Sequence, residues 1–243
     1  MLSTTATFFL LLLLLLEPPR EKRMDPQQRT NLVRDGFVVA HGIGSFSELK
    51  RSVLAQLPVD YQFLDYSYYI RGTSLETWHR DVTSGQAYHR TAHPTYTVIH
   101  YLCDGDLLSV SPGSHRTLPF SWGAPLTLTG GAGTAVLFNA DLLHAGAPNR
   151  IGAARRAIQY KVAHVSDLPA LSHLAGKHVA KDGGGSGSGR GLHRWLSWKT
   201  AWLTNSLLYP LMQTRLDGWL GALQRLVGID FYNNPSTNGH RMS

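Results

Sequence analysis

The chain has 243 residues, enough for one domain with appendages, and its 43% hydrophobic and 16% charged residues exclude a disordered chain. A single cysteine, Cys103, excludes an internal disulfide framework and any cysteine-based zinc module; its expected place is a small buried strand position. The net charge of +7 does not point to nucleic acid, because residues 1–23 carry +1 and 190–243 carry +4, leaving only +2 on the body.

In chain order, residues 1–23 form an apolar leader with Phe8, Phe9 and seven leucines at 10–16. Nine apolar residues are too few for a transmembrane helix, which needs about 20. They match the length of a signal-peptide core, although no Lys or Arg precedes them and no small-x-small cleavage site follows. As a membrane anchor, with its basic residues after the run, the segment would favour a cytoplasmic body. As a dispensable extension it would leave Met24 as the start. These readings stay open, and the localisation with them.

Residues 24–181 read as one folded domain. Asp25 followed by Pro26 sets up a helix start, and Gly36 stops that helix. Ser45 with Glu48 three residues on is a capping box opening a helix that runs to Leu57. Beyond it, short β-rich runs alternate with turn residues at 66–71, 75–83, 95–102, 107–111, 126–129, 134–139 and 155–164. Such a series predicts a sandwich, barrel or jelly roll and not βαβ units. Residues 182–191, DGGGSGSGRG, are a flexible linker by composition. In 192–243, Leu192, Trp195, Leu196, Trp198, Trp202 and Leu203 recur at helical spacing, and a second apolar run follows Pro210. This tail predicts two amphipathic helices. They either pack on the body with their basic residues solvated or lie on a membrane surface.

The chemistry concentrates in Trp78-His79-Arg80-Asp81. Residues two apart on an extended strand share a face, so His79 and Asp81 present an imidazole and a carboxylate together. His144, directly after the apolar run 134–139, supplies a second imidazole. Two His and one carboxylate make the facial triad of non-haem Fe(II) oxygenases, with the opposite positions open for substrate and dioxygen. Eleven residues after His144, Arg155 begins the next strand. Its planar fork suits the far carboxylate of 2-oxoglutarate, the dicarboxylate cosubstrate of such enzymes.

The sequence resembles the phytanoyl-CoA dioxygenase family of Fe(II)/2-oxoglutarate-dependent oxygenases. The resemblance rests on GFVVAHG, WHRDV, the pair TYTVIHYL and LLSVSPGSHR, and HAGAPNRIGAARRAIQYK, in order over roughly residues 30–165. It is also similar to short oxygenases of large DNA viruses and algae. The resemblance implies a mainly β fold with flanking helices: a double-stranded β-helix (jelly-roll, cupin-like) core, two N-terminal helices and C-terminal amphipathic helices. It implies Fe(II) on His79, Asp81 and His144, with 2-oxoglutarate on Arg155, dioxygen as co-reactant and ascorbate as reductant. The expected reaction hydroxylates an unactivated C–H bond of a small molecule or lipid, with succinate and carbon dioxide released. The turn Pro112-Gly113-Ser114-His115 recurs in the family without an evident metal role. Relatives often carry Ser or Thr two residues after the distal His, where this chain has Gly146; Thr97 or Tyr101 would replace that hydroxyl. Asp81, being a carboxylate, argues against halogenation.

Other readings fare less well. His-Arg-Asp also opens a kinase catalytic loop, but Gln86 stands where kinases need Asn. Gly130, Gly131 and Gly133 precede a strand, which does not suit a phosphate loop. Zinc-dependent hydrolysis would have no use for Arg155. His89, His93, His100, His115, His164, His173 and His178 are expected to be structural or exposed. The contrasting function is a non-catalytic jelly roll held at a membrane or partner through its tail or leader. Oligomeric state is not encoded legibly.

Overall fold

The computed structural model describes residues 21–24, 30–72, 77–118, 124–148, 155–182 and 190–203. The described residues form eleven strands: β1 Lys22–Arg23, β2 Phe37–Ala40, β3 Tyr61–Phe63, β4 Tyr66–Gly72, β5 Tyr96–Tyr101, β6 Gly105–Val110, β7 Leu126–Gly130, β8 Thr134–Asn139, β9 His144–Gly146, β10 Arg155–His164 and β11 Lys177–Asp182. They form two sheets, one ordered β1-β7-β6-β9 and one ordered β11-β4-β10-β5-β8-β2, with β3 pairing β10 beside β4. Phe37, Ile99, Val136, Phe138 and Ala157 of the large sheet share one core with Leu107, Leu108, Val110 and Leu128 of the small one. The protein is therefore a mainly β sandwich.

Helix α1, Phe46–Leu54, covers the outer face of the large sheet, burying Leu49 and Val53 against Val98, Leu137 and Val162. With both faces covered, β5 and β8 are buried at every position, and each apolar side chain there contributes about 1.5–3 kcal/mol. The capping box forms as expected, with Ser45 accepting from the Glu48 N–H. The helix closes at Leu54 instead of Leu57. Its last residues tighten into i→i+3 bonds, Gln56 N to Val53 O and Leu57 N to Leu54 O, because Pro58 disfavours α geometry at residue 57.

Of the helix expected over 25–36, residues 25–29 lie outside the described residues and 30–36 are not helical. Residues 31–35 form turns: Asn31 Oδ1 accepts from the N–H groups of Val33 and Arg34, and Asp35 accepts from Asn31 N. Side chains that bond nearby N–H groups compete with the helical ladder, and here they win. The strand expected over 75–83 is likewise absent from 77–83, which makes a single bridge between His79 and His144. Trp78 N there donates to Ser197 Oγ at 2.8 Å instead of to a neighbouring strand. Cys103 stands half-exposed in the bend between β5 and β6, beside Arg156, and not on a buried strand.

Helix α2, Gln86–His89, is a single turn. Helix α3, Arg190–Leu203, is the described part of the tail. It packs on the body: Trp198 meets the buried Trp78 edge-on at 4.6 Å, and Arg194 donates to Glu21 Oε1 at 2.7 Å and to Gly146 O at 2.8 Å. Among the described residues no helix is long and apolar enough to cross a membrane. The leader up to residue 20, linker residues 183–189 and the second tail helix lie outside the described residues.

Candidate metal centre

His79, Asp81 and His144 come together where β9 meets the segment after Trp78. The His79 and His144 backbones pair in both directions, N to O at 2.8 and 2.9 Å, so their rings stand 4.3 Å apart. Each ring is fixed in the same way. His79 Nδ1 lies 2.8 Å from Thr77 O, and His144 Nδ1 lies 2.9 Å from Leu142 O. A carbonyl only accepts, so the proton is assigned to Nδ1 in both rings and the lone pair to Nε2. His144 Nε2 faces Asp81 Oδ1 at 3.7 Å, and one donor atom from each of the three residues lies within 4.8 Å of the others.

The second Asp81 oxygen is occupied by protein. Lys161 Nζ donates to Oδ2 at 2.7 Å, and the Thr97 hydroxyl donates to the same atom. Lys161 also donates to Thr97 Oγ1 at 2.8 Å. Lys161 is 1% exposed and Asp81 6%, so this is an ion pair inside the sandwich. Burial alone would raise the Asp81 carboxyl, but the Lys161 ammonium, through its charge and its hydrogen bond, holds it below the usual carboxylate range. Burial lowers Lys161, with Asp81 opposing. Burial, reinforced by the neighbouring His79, takes His144 down to about 3. His79 is lowered by burial in the same sense. The rings are therefore neutral, and three lone-pair atoms converge with no proton between them. That donor set fits a divalent transition metal: two unprotonated imidazoles, a carboxylate oxygen, and hydrogen bonds behind each ligand that orient it.

Arg155 is buried at the start of β10, where its Nη2 donates to Ala147 O at 2.7 Å and Asp106 O at 2.8 Å. Ala147 lies just past the strand that carries His144, which ties the guanidinium to that end of β9. Arg155 and Lys161 point to the same face of β10, but they are six residues apart, about 20 Å along an extended strand. Lys161, not Arg155, is the cation in contact with the triad. The sequence reading missed it, although the alternation on β10 carried the signal: Arg155, Gln159 and Lys161 occupy the buried positions of the strand. The two hydroxyls considered as helpers of Arg155 are engaged elsewhere, Thr97 on Asp81 and Tyr101 on Leu107 O.

The turn Pro112-Gly113-Ser114-His115 acts as a brace. Ser114 Oγ accepts from Leu143 N at 2.8 Å, the residue before His144. Ser114 O accepts from Arg80 at 2.9 Å, the residue between His79 and Asp81. Arg80 also donates to Asp141 O. One turn thus fixes the backbone beside all three triad residues.

The sequence matches no protein-family model and no curated protein. Among solved structures, the chain is similar to EvdMO1, with a TM-score of 0.39 and 19% identity over 49% of this chain and 31% of that one. It is similar to NvfI, an iron and alpha-ketoglutarate-dependent endoperoxidase, with a TM-score of 0.44 and 11% identity over 59% of this chain and 81% of that one. HygX from Streptomyces hygroscopicus, solved with nickel and 2-oxoglutarate, gives a TM-score of 0.39 and 14% identity over 55% and 84%. The chain thus spans about a third of EvdMO1.

Proposed function

We propose that this protein is a non-haem Fe(II)- and 2-oxoglutarate-dependent dioxygenase built on a jelly-roll core, hydroxylating a small-molecule or lipid substrate. The observation that carries the reading is the pair of tautomer-locked imidazoles whose Nε2 atoms converge with one oxygen of a carboxylate that Lys161 and Thr97 hold from behind. When bound, Fe(II) would let dioxygen serve as the oxidant, with 2-oxoglutarate giving up two electrons as it becomes succinate and carbon dioxide and the substrate C–H bond giving up the other two; one oxygen atom would go to succinate and one to the new hydroxyl.

The residues of this chain supply the rest. His79, Asp81 and His144 hold the ion, with Nδ1–H groups on Thr77 O and Leu142 O keeping both rings in the ligating tautomer. Lys161 keeps Asp81 ionised and leaves Oδ1 to the metal. Arg155, whose Nη2 donates to Ala147 O and Asp106 O, is the clamp for the far carboxylate of the cosubstrate. Phe138, whose ring lies 4.6 Å from that of His144, gives the centre an apolar wall.

The test is succinate release from 2-oxoglutarate with Fe(II), ascorbate and dioxygen, comparing wild type with Asp81→Ala. Turnover in wild type, stimulated by pools of lipids or metabolites and abolished in the variant, is the expected result. No succinate from wild type with any pool would refute the reading. A zinc hydrolase is disfavoured because Arg155 has no task in one. The non-catalytic alternative relied on a basic, Trp-bearing tail, and in 190–203 Arg194 and Trp198 are engaged on the body.

A further inference from the structure

A second group of metal-ligating side chains lies away from the triad. His93 sits in the loop before β5, His164 ends β10, and Asp167 belongs to the 3-10 turn Val165–Leu174 that follows. We propose that His93, His164 and Asp167, with the Ser166 hydroxyl, form a second divalent-cation site, suited to zinc, that clips the segment following Asp81 to the turn after β10. This inference is independent of the oxygenase reading.

One donor atom from each of the three residues lies within 4.8 Å of the others. Asp167 is fixed as the carboxylate corner: Oδ1 accepts from Ala92 N at 2.9 Å, and Oδ2 accepts from His93 N at 2.9 Å. His93 Nδ1 stands 3.1 Å from the same Oδ2. His164 Nδ1 accepts the Ser166 backbone N–H at 3.3 Å, so it is the unprotonated nitrogen of its ring, and it lies 2.8 Å from Ser166 Oγ. Ser166 Oγ is in turn 3.4 Å from His93 Nδ1. Ligands about 2.0–2.1 Å from a tetrahedral ion are separated by roughly 3.3–3.4 Å from one another, inside the 4.8 Å that bounds these donors, and the His93 and His164 rings, stacked at 3.8 Å with 24° between them, must splay for both in-plane lone pairs to meet the ion. The imidazole–imidazole–carboxylate set is the borderline donor type that zinc, cobalt and nickel prefer over calcium or magnesium. In the bound form His93 carries its proton on Nε2 instead of Nδ1, and His164 Nδ1 exchanges the Ser166 N–H for the ion.

Two neighbouring arrangements sharpen the assignment. His89 and His173 also stack, at 4.7 Å, but each directs a nitrogen at a carbonyl, Val82 O and Thr83 O, and no carboxylate joins them. They serve as a plain strut between the same two segments. Nor is Ser166–His93–Asp167 a hydrolytic relay, because the hydroxyl and the carboxylate both meet Nδ1 of His93 and nothing passes through the ring. The side chain of His93 is 43% exposed, giving an ion a way in, while that of Asp167 is 7% exposed and walls the other side. Because residues 82–92 connect Asp81 to His93, an ion here would restrain the chain that carries the triad carboxylate.

The experiment is equilibrium dialysis of the chelator-stripped full chain against micromolar free zinc, with metal content measured for wild type, His164→Gln, Asp167→Asn and His144→Ala, and folding checked by circular dichroism. Two ions per chain in wild type and one in each variant are expected. A single wild-type ion that is lost in His164→Gln and kept in His144→Ala sustains this site and sinks the triad reading. A single ion lost only in His144→Ala, or none at all, overturns the proposal. If His164→Gln or Asp167→Asn fails to fold, His93→Ala decides, since that ring is 43% exposed and its loss leaves both Asp167 oxygens their backbone donors, Ala92 N and His93 N.

Discussion

Lys161→Met tests the electrostatic account of the triad. In the native protein the ammonium lies 2.7 Å from Asp81 Oδ2 with both groups buried. At an effective dielectric near 20 the gross attraction over that distance is about 6 kcal/mol, most of it offset by desolvating two ions. Methionine fills nearly the same volume, so packing changes little, but Asp81 is left as a buried carboxylate facing two neutral imidazoles. Removing one partner of such a pair costs about 3–5 kcal/mol. Adding Asp81→Asn removes the stranded charge, so the double variant should be less destabilised than the sum of the two single variants. Urea unfolding of all four proteins, followed by circular dichroism with chelator present, gives the numbers. A Lys161→Met protein within about 1 kcal/mol of wild type, or strictly additive single variants, would refute the reasoning.

Three further outcomes follow from the same contacts. The folded-state pKa of His144, about 3, lies below its ordinary value of 6.5. Between these values the unfolded chain binds a proton that the folded chain refuses, so the metal-free protein should lose about 1.4 kcal/mol per pH unit from this group as pH falls through that window, and more from His79; a flat denaturation midpoint from pH 7 to 5 contradicts this. Ser114→Ala leaves the buried Leu143 N–H without its acceptor and should cost about 1–3 kcal/mol, with weaker cobalt binding at the triad measured by absorption; unchanged stability and affinity would remove the turn's bracing role. Trp198→Ala takes away the edge-on partner of Trp78 and should cost about 1–3 kcal/mol while exposing α3 to limited proteolysis, and equal protease resistance would argue that the helix is held by other means.

Much of this was legible along the chain. The strands 134–139 and 155–164 fall where alternation and turn residues put them, because their pattern reports a local backbone preference together with a buried face. The capping box at Ser45 is equally local, being two hydrogen bonds within four residues. His79, Asp81 and His144 could be singled out because ligand chemistry restricts the residue types and the extended backbone brings positions two apart to one side. By contrast, β1, β9 and β11 are short or polar and exist through partners distant in sequence; β11 pairs in parallel with β4 more than a hundred residues earlier.

Sequence alone therefore determined the mainly β class, the helix opened by the capping box and which three metal-ligating side chains to look for, since each depends on propensity, periodicity or side-chain chemistry read within a few residues. Only the tertiary structure decided that these side chains converge and what stands behind them. Lys161 and Thr97 reach Asp81 from strands 80 and 16 residues away, and Arg194 reaches Glu21 across 173. A buried lysine is tolerable only where a carboxylate meets it, and which carboxylate that is depends on strand register, which folding sets through the packing of two sheets and not through any local signal.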